Sequence, residues 1–122
     1  MSFTTALLLI AVIAAFLVYN HTGKISSKAA KAYLRNGAKV IDVRSAGEYT
    51  AHHLPNAMNL PLSEIETLIL RKVRDKNSVL LLHCQSGMRS GLARKMVKAL
   101  GYTNVYNLGS YGRAAKIVSR RR

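Results

Sequence analysis

Residues 79–90 read VLLLHCQSGMRS. Val79 to Leu82 form a continuous apolar run, the pattern of a strand buried on both faces of a parallel sheet. The run ends at His83 and Cys84. Gly87 and Arg89 follow, and SGLARKMVKALG at 90–101 has helical spacing closed by Gly101. Strand, short loop and helix in that order place Cys84 at the carboxyl edge of a central strand, where open α/β sheets bind ligands. Loop N–H groups and the positive end of the helix dipole converge on that point. Gly87 permits the positive φ that a tight cradle needs. Arg89 adds a cation, and a thiolate so placed has a lowered pKa. A lone cysteine after an apolar strand is ordinarily a small core residue. Cys, Gly and Arg together in one strand-to-helix turn favour the nucleophile.

The flanking sequence continues the alternation. SKAAKAYLRNG reads as a helix with Ser26 or Ser27 as N-cap and Gly37 as its stop. KVIDV at 39–43 is a strand, SAGEYTAHHLPNA a helical stub and loop, and MNLP a short extended piece ended by Pro61. Ser63 and Glu66 have capping-box spacing ahead of a helix through EIETLILRKV. In the helix after Cys84, the expected core face is Leu92, Met96, Ala99 and Leu100. NVYNL at 104–108 is a strand, and YGRAAKIVSR a last helix. Strands alternating with helices imply an α/β layered fold with a mostly parallel sheet.

Residues 3–19, FTTALLLIAVIAAFLVY, carry no charge. With Ser2 and Asn20 the run reaches the length a bilayer-spanning helix needs, about 20 residues. A signal peptide would want positive charge ahead of the run and a small-x-small cleavage site after it; Met1-Ser2 offers only the α-amine, and LVYNHTG is a poor cleavage site. A buried core helix would show a polar face. The expectation is an uncleaved anchor over residues 1–23 and a globular domain over 24–122. Lys24, Lys28, Lys31 and Arg35 follow the run, so the positive-inside bias places that domain in the cytoplasm, on a single-pass inner (plasma) membrane protein. One cysteine excludes an internal disulfide framework.

The formal net charge is +14, and from Lys76 onward there are ten Lys/Arg and no acid. Nucleic-acid binding would want base-stacking aromatics among scattered charges, and that pattern is missing. Attraction to anionic headgroups, aided by the C-terminal RRR, and steering of a small anionic substrate both fit.

The gap between Cys84 and Arg89 is four residues. Cysteine phosphatases use C-x5-R, a wider cradle shaped for phosphate. The shorter loop suits a sulfur substituent on the cysteine, a persulfide. With that spacing, IDVRSAGEYTAHHLPNAMNLP at 41–61 and LLHCQSGMRSGLARKMVKALGYTNVYNLGS at 81–110 resemble the two signature segments of the rhodanese (sulfurtransferase) family. The resemblance implies a doubly wound α/β domain with a five-stranded, largely parallel sheet. It implies transfer of a sulfane sulfur from a small anionic donor such as thiosulfate, through a Cys84 persulfide, to cyanide or a thiol, with no cofactor or metal. By position, the backbone amides of Gln85, Ser86, Gly87, Met88 and Arg89 cradle the sulfur. Arg89 also meets the donor's anionic part, and Ser90 hydrogen-bonds at the loop exit.

Asp42 and Arg44 match the signature's acid and arginine near the site. Arg44 has a structural reading as well, pairing with Glu48 four residues on. Of His52 and His53, one is the family's structural histidine. His83 could tune the cysteine or point away, and Tyr111 and Arg113 could border the pocket. Two features depart from the family. LGSYGRAAKIV has Ser110 where a second glycine is common and lacks the usual tryptophan, and Gln85 stands where some thiosulfate-using members carry a basic residue. A non-catalytic, membrane-anchored binding module is the alternative function. A phosphatase or arsenate reductase is disfavoured by the short loop.

Overall fold

A computed structural model describes residues 2–21 and 23–119, without the side chains of 18–21. The basic C-terminus at 120–122 lies outside the described residues. The chain runs α1 (Phe3–His21), α2 (Ser27–Arg35), β1 (Lys39–Asp42), α3 (Ala46–Ala51), β2 (Met58–Asn59), α4 (Ile65–Lys72), β3 (Val79–His83), α5 (Met88–Ala99), β4 (Asn104–Gly109) and α6 (Tyr111–Ser119).

The four strands form one sheet in the order β2-β1-β3-β4, every pair parallel. β3 is central, as its unbroken apolar run requires. Leu80 and Leu82 face a core completed by Ile65, Ile69 and Val73 from α4 and the following turn, and by Ala93 and Val97 from α5. Leu81 faces the opposite core, with Ala30 and Leu34 of α2 and Ala114 and Ile117 of α6. Two-residue periodicity thus buries successive leucines on opposite sides of one sheet.

Three expectations need correction. The sheet has four strands among the described residues, not five. Where a fifth would lie, Lys24 makes a single parallel bridge to Asn107. Two backbone bonds hold that stretch, Asn107 N–H to the Gly23 carbonyl and Ile25 N–H to the Asn107 carbonyl. α2 starts at Ser27, too soon for more pairing. Secondly, Ser63 and Glu66 form no capping box. Glu64 N–H and Ile65 N–H bond back to Pro61 and Leu62, which tightens the turn and makes Glu64 the N-cap, without a side-chain bond. A capping box forms instead at Ser45 and Glu48, at the head of α3. Thirdly, α5 keeps only Met96 and Leu100 of the expected face against the core, buries Ser90, Ala93 and Val97, and leaves Leu92 and Ala99 exposed. The close approach of α5 to the sheet selects small residues over the larger neighbours.

α1 covers the stretch read as an anchor. Among the described residues no helix is long and apolar enough to cross a membrane. The expected transmembrane helix is therefore not shown. The large apolar side chains of this stretch, Phe3 and Phe16 among them, are exposed.

Candidate active site

The register of the sheet builds the site. β1 pairs with β3 so that Asp42 lies beside His83 at the carboxyl edge. Between β3 and β4 the register slips after Leu82, and His83 pairs with Gly109. The next residue, Cys84, donates its N–H to the Gly109 carbonyl. The chain then leaves the sheet and turns into α5.

Gly87 makes that turn with φ of 95°, a left-handed value that glycine adopts without strain. The turn brings its N–H to 3.0 Å from the Cys84 Sγ. A side chain at this position would also crowd the Gly109 backbone, with a Cβ only 3.3 Å from its carbonyl carbon. From the first turn of α5 the Ser90 hydroxyl lies 3.5 Å from the same sulfur and 2.7 Å from Asn107 Oδ1, and it shares its one proton between them.

Cys84 itself is fully buried. Burial pushes its thiol pKa up, but hydrogen bonds from the Ser90 hydroxyl and from the backbone of Ser90, Gly87 and Ser86 outweigh it. The net shift is below the ordinary value of 9.0. Donors aimed at one sulfur stabilise the charged form more than desolvation penalises it.

One residue that holds this arrangement was missed in the sequence. Asn107, buried in β4, accepts from the Ser90 hydroxyl at 2.7 Å and from Gly109 N–H at 2.9 Å. Its Nδ2 donates to the Gly87 carbonyl at 3.1 Å. It therefore ties the loop, the first turn of α5 and the end of β4 together. A polar residue between Tyr106 and Leu108, in the interior of a strand, was the available signal.

The ion pairs differ from expectation. Arg44 does not pair with Glu48. Its Nε and Nη2 grip the Asp42 carboxylate, with Nη2 at 2.8 Å, and Nη2 also donates to the His52 carbonyl. Both Asp42 and Arg44 are buried, and the guanidinium lies 4.7 Å from the Tyr111 ring centroid. Arg44 can reach Asp42 because both flank the strand end, while Glu48 is turned outward by its capping bonds to Ser45. Glu48 instead receives Arg89 in a two-pronged pair, at 2.7 and 3.0 Å. The Arg89 hydrogen bonds hold the Glu48 pKa down at about 2. So the arginine expected to meet an anion already holds a carboxylate.

The histidines separate by role. His53 Nδ1 donates to the Tyr49 carbonyl at 2.9 Å and its ring stacks on the Tyr49 ring, which makes it the histidine that fixes the loop. His52 lies edge-on to Tyr111. His83 is buried, its Nδ1 3.3 Å from the Cys84 carbonyl, and burial pushes its pKa down so that it stays neutral. Among the described residues its Nε2 has no hydrogen-bond partner, and it sits 3.8 Å from Asp42.

Tyr111 closes the flank of the loop, donating its N–H to the Gln85 carbonyl. Gln85, Ser86 and Met88 present exposed side chains around the buried sulfur. Arg113 does not border this site: its guanidinium donates to the carbonyls of Leu108 and Ile25 and ties α6 to the chain after α1.

Residues 26–112 match the family model of the rhodanese-like domain. The chain belongs to the rhodanese-like family. This rhodanese-like domain is 39% identical over 69 residues to the thiosulfate sulfurtransferase PspE of Escherichia coli, an alignment covering 57% of this chain and 66% of that one. It is 32% identical over 87 residues to the human thiosulfate:glutathione sulfurtransferase, covering 61% and 76%. The chain thus spans just under two thirds of the length of the E. coli relative. The structure of the human single-domain sulfurtransferase TSTD1 superposes with a TM-score of 0.68 at 28% identity, over 78% of this chain and 96% of that one. Relatives of this kind support a sulfurtransferase type of activity.

The departures noted in the sequence acquire physical content in this rhodanese-like fold. Ser110 caps α6, its hydroxyl accepting from Arg113 N–H at 3.2 Å, so the residue in place of a second glycine starts the helix. The flank where a tryptophan is usual carries Tyr111. Ser90 gives a direct test of the electrostatics. In Ser90→Ala, iodoacetamide should alkylate Cys84 about three- to tenfold more slowly at neutral pH, the effect of losing one hydrogen bond to a charged group. The rates should converge above the ordinary thiol range, where every thiol is ionised. A constant rate difference across pH would mean a steric effect instead.

Proposed function

We propose that the domain is a sulfurtransferase that works through a persulfide on Cys84. The observation that carries the reading is the Gly87 N–H aimed at a sulfur whose pKa lies below the ordinary thiol value. The Cys84 thiolate attacks the outer sulfur of an anionic donor such as thiosulfate. A new S–S bond forms as the donor's S–S bond breaks, and sulfite leaves with the bonding electron pair. A thiolate or cyanide acceptor then attacks the outer sulfur and returns Cys84 as thiolate. The short loop cradles the persulfide, and the basic half of the chain draws the anion in. Gln85, uncharged, leaves the donor's charge to Arg89.

The membrane belongs to the same proposal. Residues 3–19 anchor the domain, and the lysines that follow keep it on the cytoplasmic side. The exposed apolar side chains of α1 support this, because such a surface is costly in water. Membrane sedimentation that resists alkaline carbonate is expected, and full release by carbonate would overturn the anchor.

The catalytic reading is tested by intact mass measured before and after incubation with thiosulfate. The chain should gain one sulfur atom and lose it again to cyanide. A chain that never gains sulfur sinks the reading. The Arg89–Glu48 pair adds a second expectation. Donor and Glu48 compete for one guanidinium, so Glu48→Gln should lower KM for thiosulfate by about two- to fivefold, the worth of an exposed ion pair. Glutamine keeps an acceptor for the Ser45 N–H. A raised KM would show that Glu48 aims Arg89 at the donor instead of withholding it.

A further inference from the structure

Away from Cys84, α2 and α6 border a cleft of about 180 Å³ lined by Ser27, Lys31, Arg113, Lys116 and Ile117. Three of those five side chains are cationic. Neither helix contains an acid, and among the described residues neither Lys31 nor Lys116 makes an ion pair. The five acids of the chain are Asp42, Glu48, Glu64, Glu66 and Asp75. Asp42 and Glu48 are engaged elsewhere, by Arg44 and Arg89. Among the described residues no carboxylate pairs with the cations of the cleft.

The cleft is also partly preorganised. Arg113 is fixed by its bonds to the Leu108 and Ile25 carbonyls, so its charge is held in place. Ile117 is buried at the same site, which gives the cleft an apolar wall. Lys31 and Lys116 supply mobile donors and Ser27 a hydroxyl. Fixed cation, flexible ammonium groups, a hydroxyl and room for a tetrahedral group with a few waters are what a phosphoryl anion requires.

We infer that this cleft binds a phosphoryl anion, either the phosphodiester of an anionic lipid headgroup or free phosphate. Chain geometry favours the headgroup. Ser27 follows the end of α1 at His21 by six residues, and six extended residues reach at most about 20 Å. If α1 spans a bilayer, the cleft cannot stand farther than that from the membrane surface. The headgroup source therefore rests on the anchor reading, whereas the anion site does not. A headgroup held in the cleft would keep α2 and α6 against the membrane and fix which way the Cys84 loop faces.

The test uses the full chain, ¹⁵N-labelled, in neutral maltoside micelles. Inorganic phosphate is titrated at constant ionic strength in one sample and phosphatidylglycerol in another, with phosphatidylcholine as the neutral control. Saturable amide shifts should concentrate at Ser27, Lys31, Arg113, Lys116 and Ile117. Whichever ligand saturates them identifies the source. Lys31→Gln with Lys116→Gln should weaken binding about tenfold or more, the loss of two charge-assisted contacts. Lys72→Gln with Lys98→Gln removes the same charge elsewhere and should leave binding within about twofold, since distant exposed charges are screened. No saturation with either ligand, or equal weakening by both double variants, would overturn the site. Amide exchange of residues 5–17 in the same micelles reports the anchor separately. Rapid exchange there would remove the headgroup source and leave the phosphate result to decide the site.

Discussion

Cys84→Ser should abolish sulfur loading and lower turnover by roughly three orders of magnitude or more, as removal of a nucleophile does elsewhere. Serine is only slightly smaller and keeps an acceptor for Gly87 N–H, so the fold should lose only about 1 kcal/mol. What disappears is the chemistry. A serine hydroxyl is not ionised at neutral pH, and oxygen cannot carry the sulfane sulfur through a reversible S–S exchange. Intact mass after thiosulfate, with far-ultraviolet circular dichroism as the fold control, reads both effects. Loading that persists in the folded variant would remove Cys84 from the reaction.

The wild type should show a matching pH dependence. Its thiol titrates below the ordinary value of 9.0, because hydrogen bonds to the thiolate outweigh burial. Reactivity should therefore rise with pH through that lowered pKa and be near its plateau before a free cysteine would be. Linkage has the same sign. The thiolate's bonds stabilise the fold above the ordinary thiol pKa, and that contribution fades as pH falls through the folded value. Glu48 behaves likewise in a lower window. Its pKa of about 2, set mainly by Arg89, makes its contribution full above the ordinary 4.5 and lost as pH falls toward 2.

Arg44→Met should cost about 3–5 kcal/mol, the penalty for stranding one partner of a buried ion pair. Asp42 would keep the Arg44 backbone N–H as a donor and lose all three guanidinium bonds. The loop at His52 and the Tyr111 ring would each lose a contact too. Urea unfolding followed by tyrosine fluorescence measures it. The double variant Asp42→Leu with Arg44→Met should recover more than half of the loss, because no buried charge then remains unpaired. A cost below about 1 kcal/mol, typical of exposed pairs, would contradict the placement of Arg44 as a buried strut.

Arg44 also marks where reading the sequence alone stops. An i, i+4 spacing made Glu48 its natural partner, and that rule applies within a helix. Arg44 lies before α3 begins, so its neighbours are set by the strand end and the loop. The capping box shows the same limit. Ser45/Glu48 and Ser63/Glu66 share one spacing, and the Pro61 turn decides against the second. Leu92 and Val97 follow alike, since amphipathic spacing does not say how closely a helix approaches its sheet. Asn107 was legible only as an odd polar residue in a strand.

The sequence by itself determined the order of strands and helices, the central place of Val79–His83, and the loop from Cys84 to Arg89 with Gly87 at its turn. These depend on local periodicity and on backbone freedom, which neighbouring residues dictate. Tertiary structure alone decided who holds whom: Asp42 by Arg44, Glu48 by Arg89, Ser90 by Asn107, and Lys24 as a single bridge in place of a fifth strand. Those partners are 2 to 83 positions apart in the chain. Arg44 turns back on Asp42 at the strand end, while the other pairs, 17 or more positions apart, meet because parallel strands and crossover helices bring distant residues to one sheet edge, a distance no local pattern encodes.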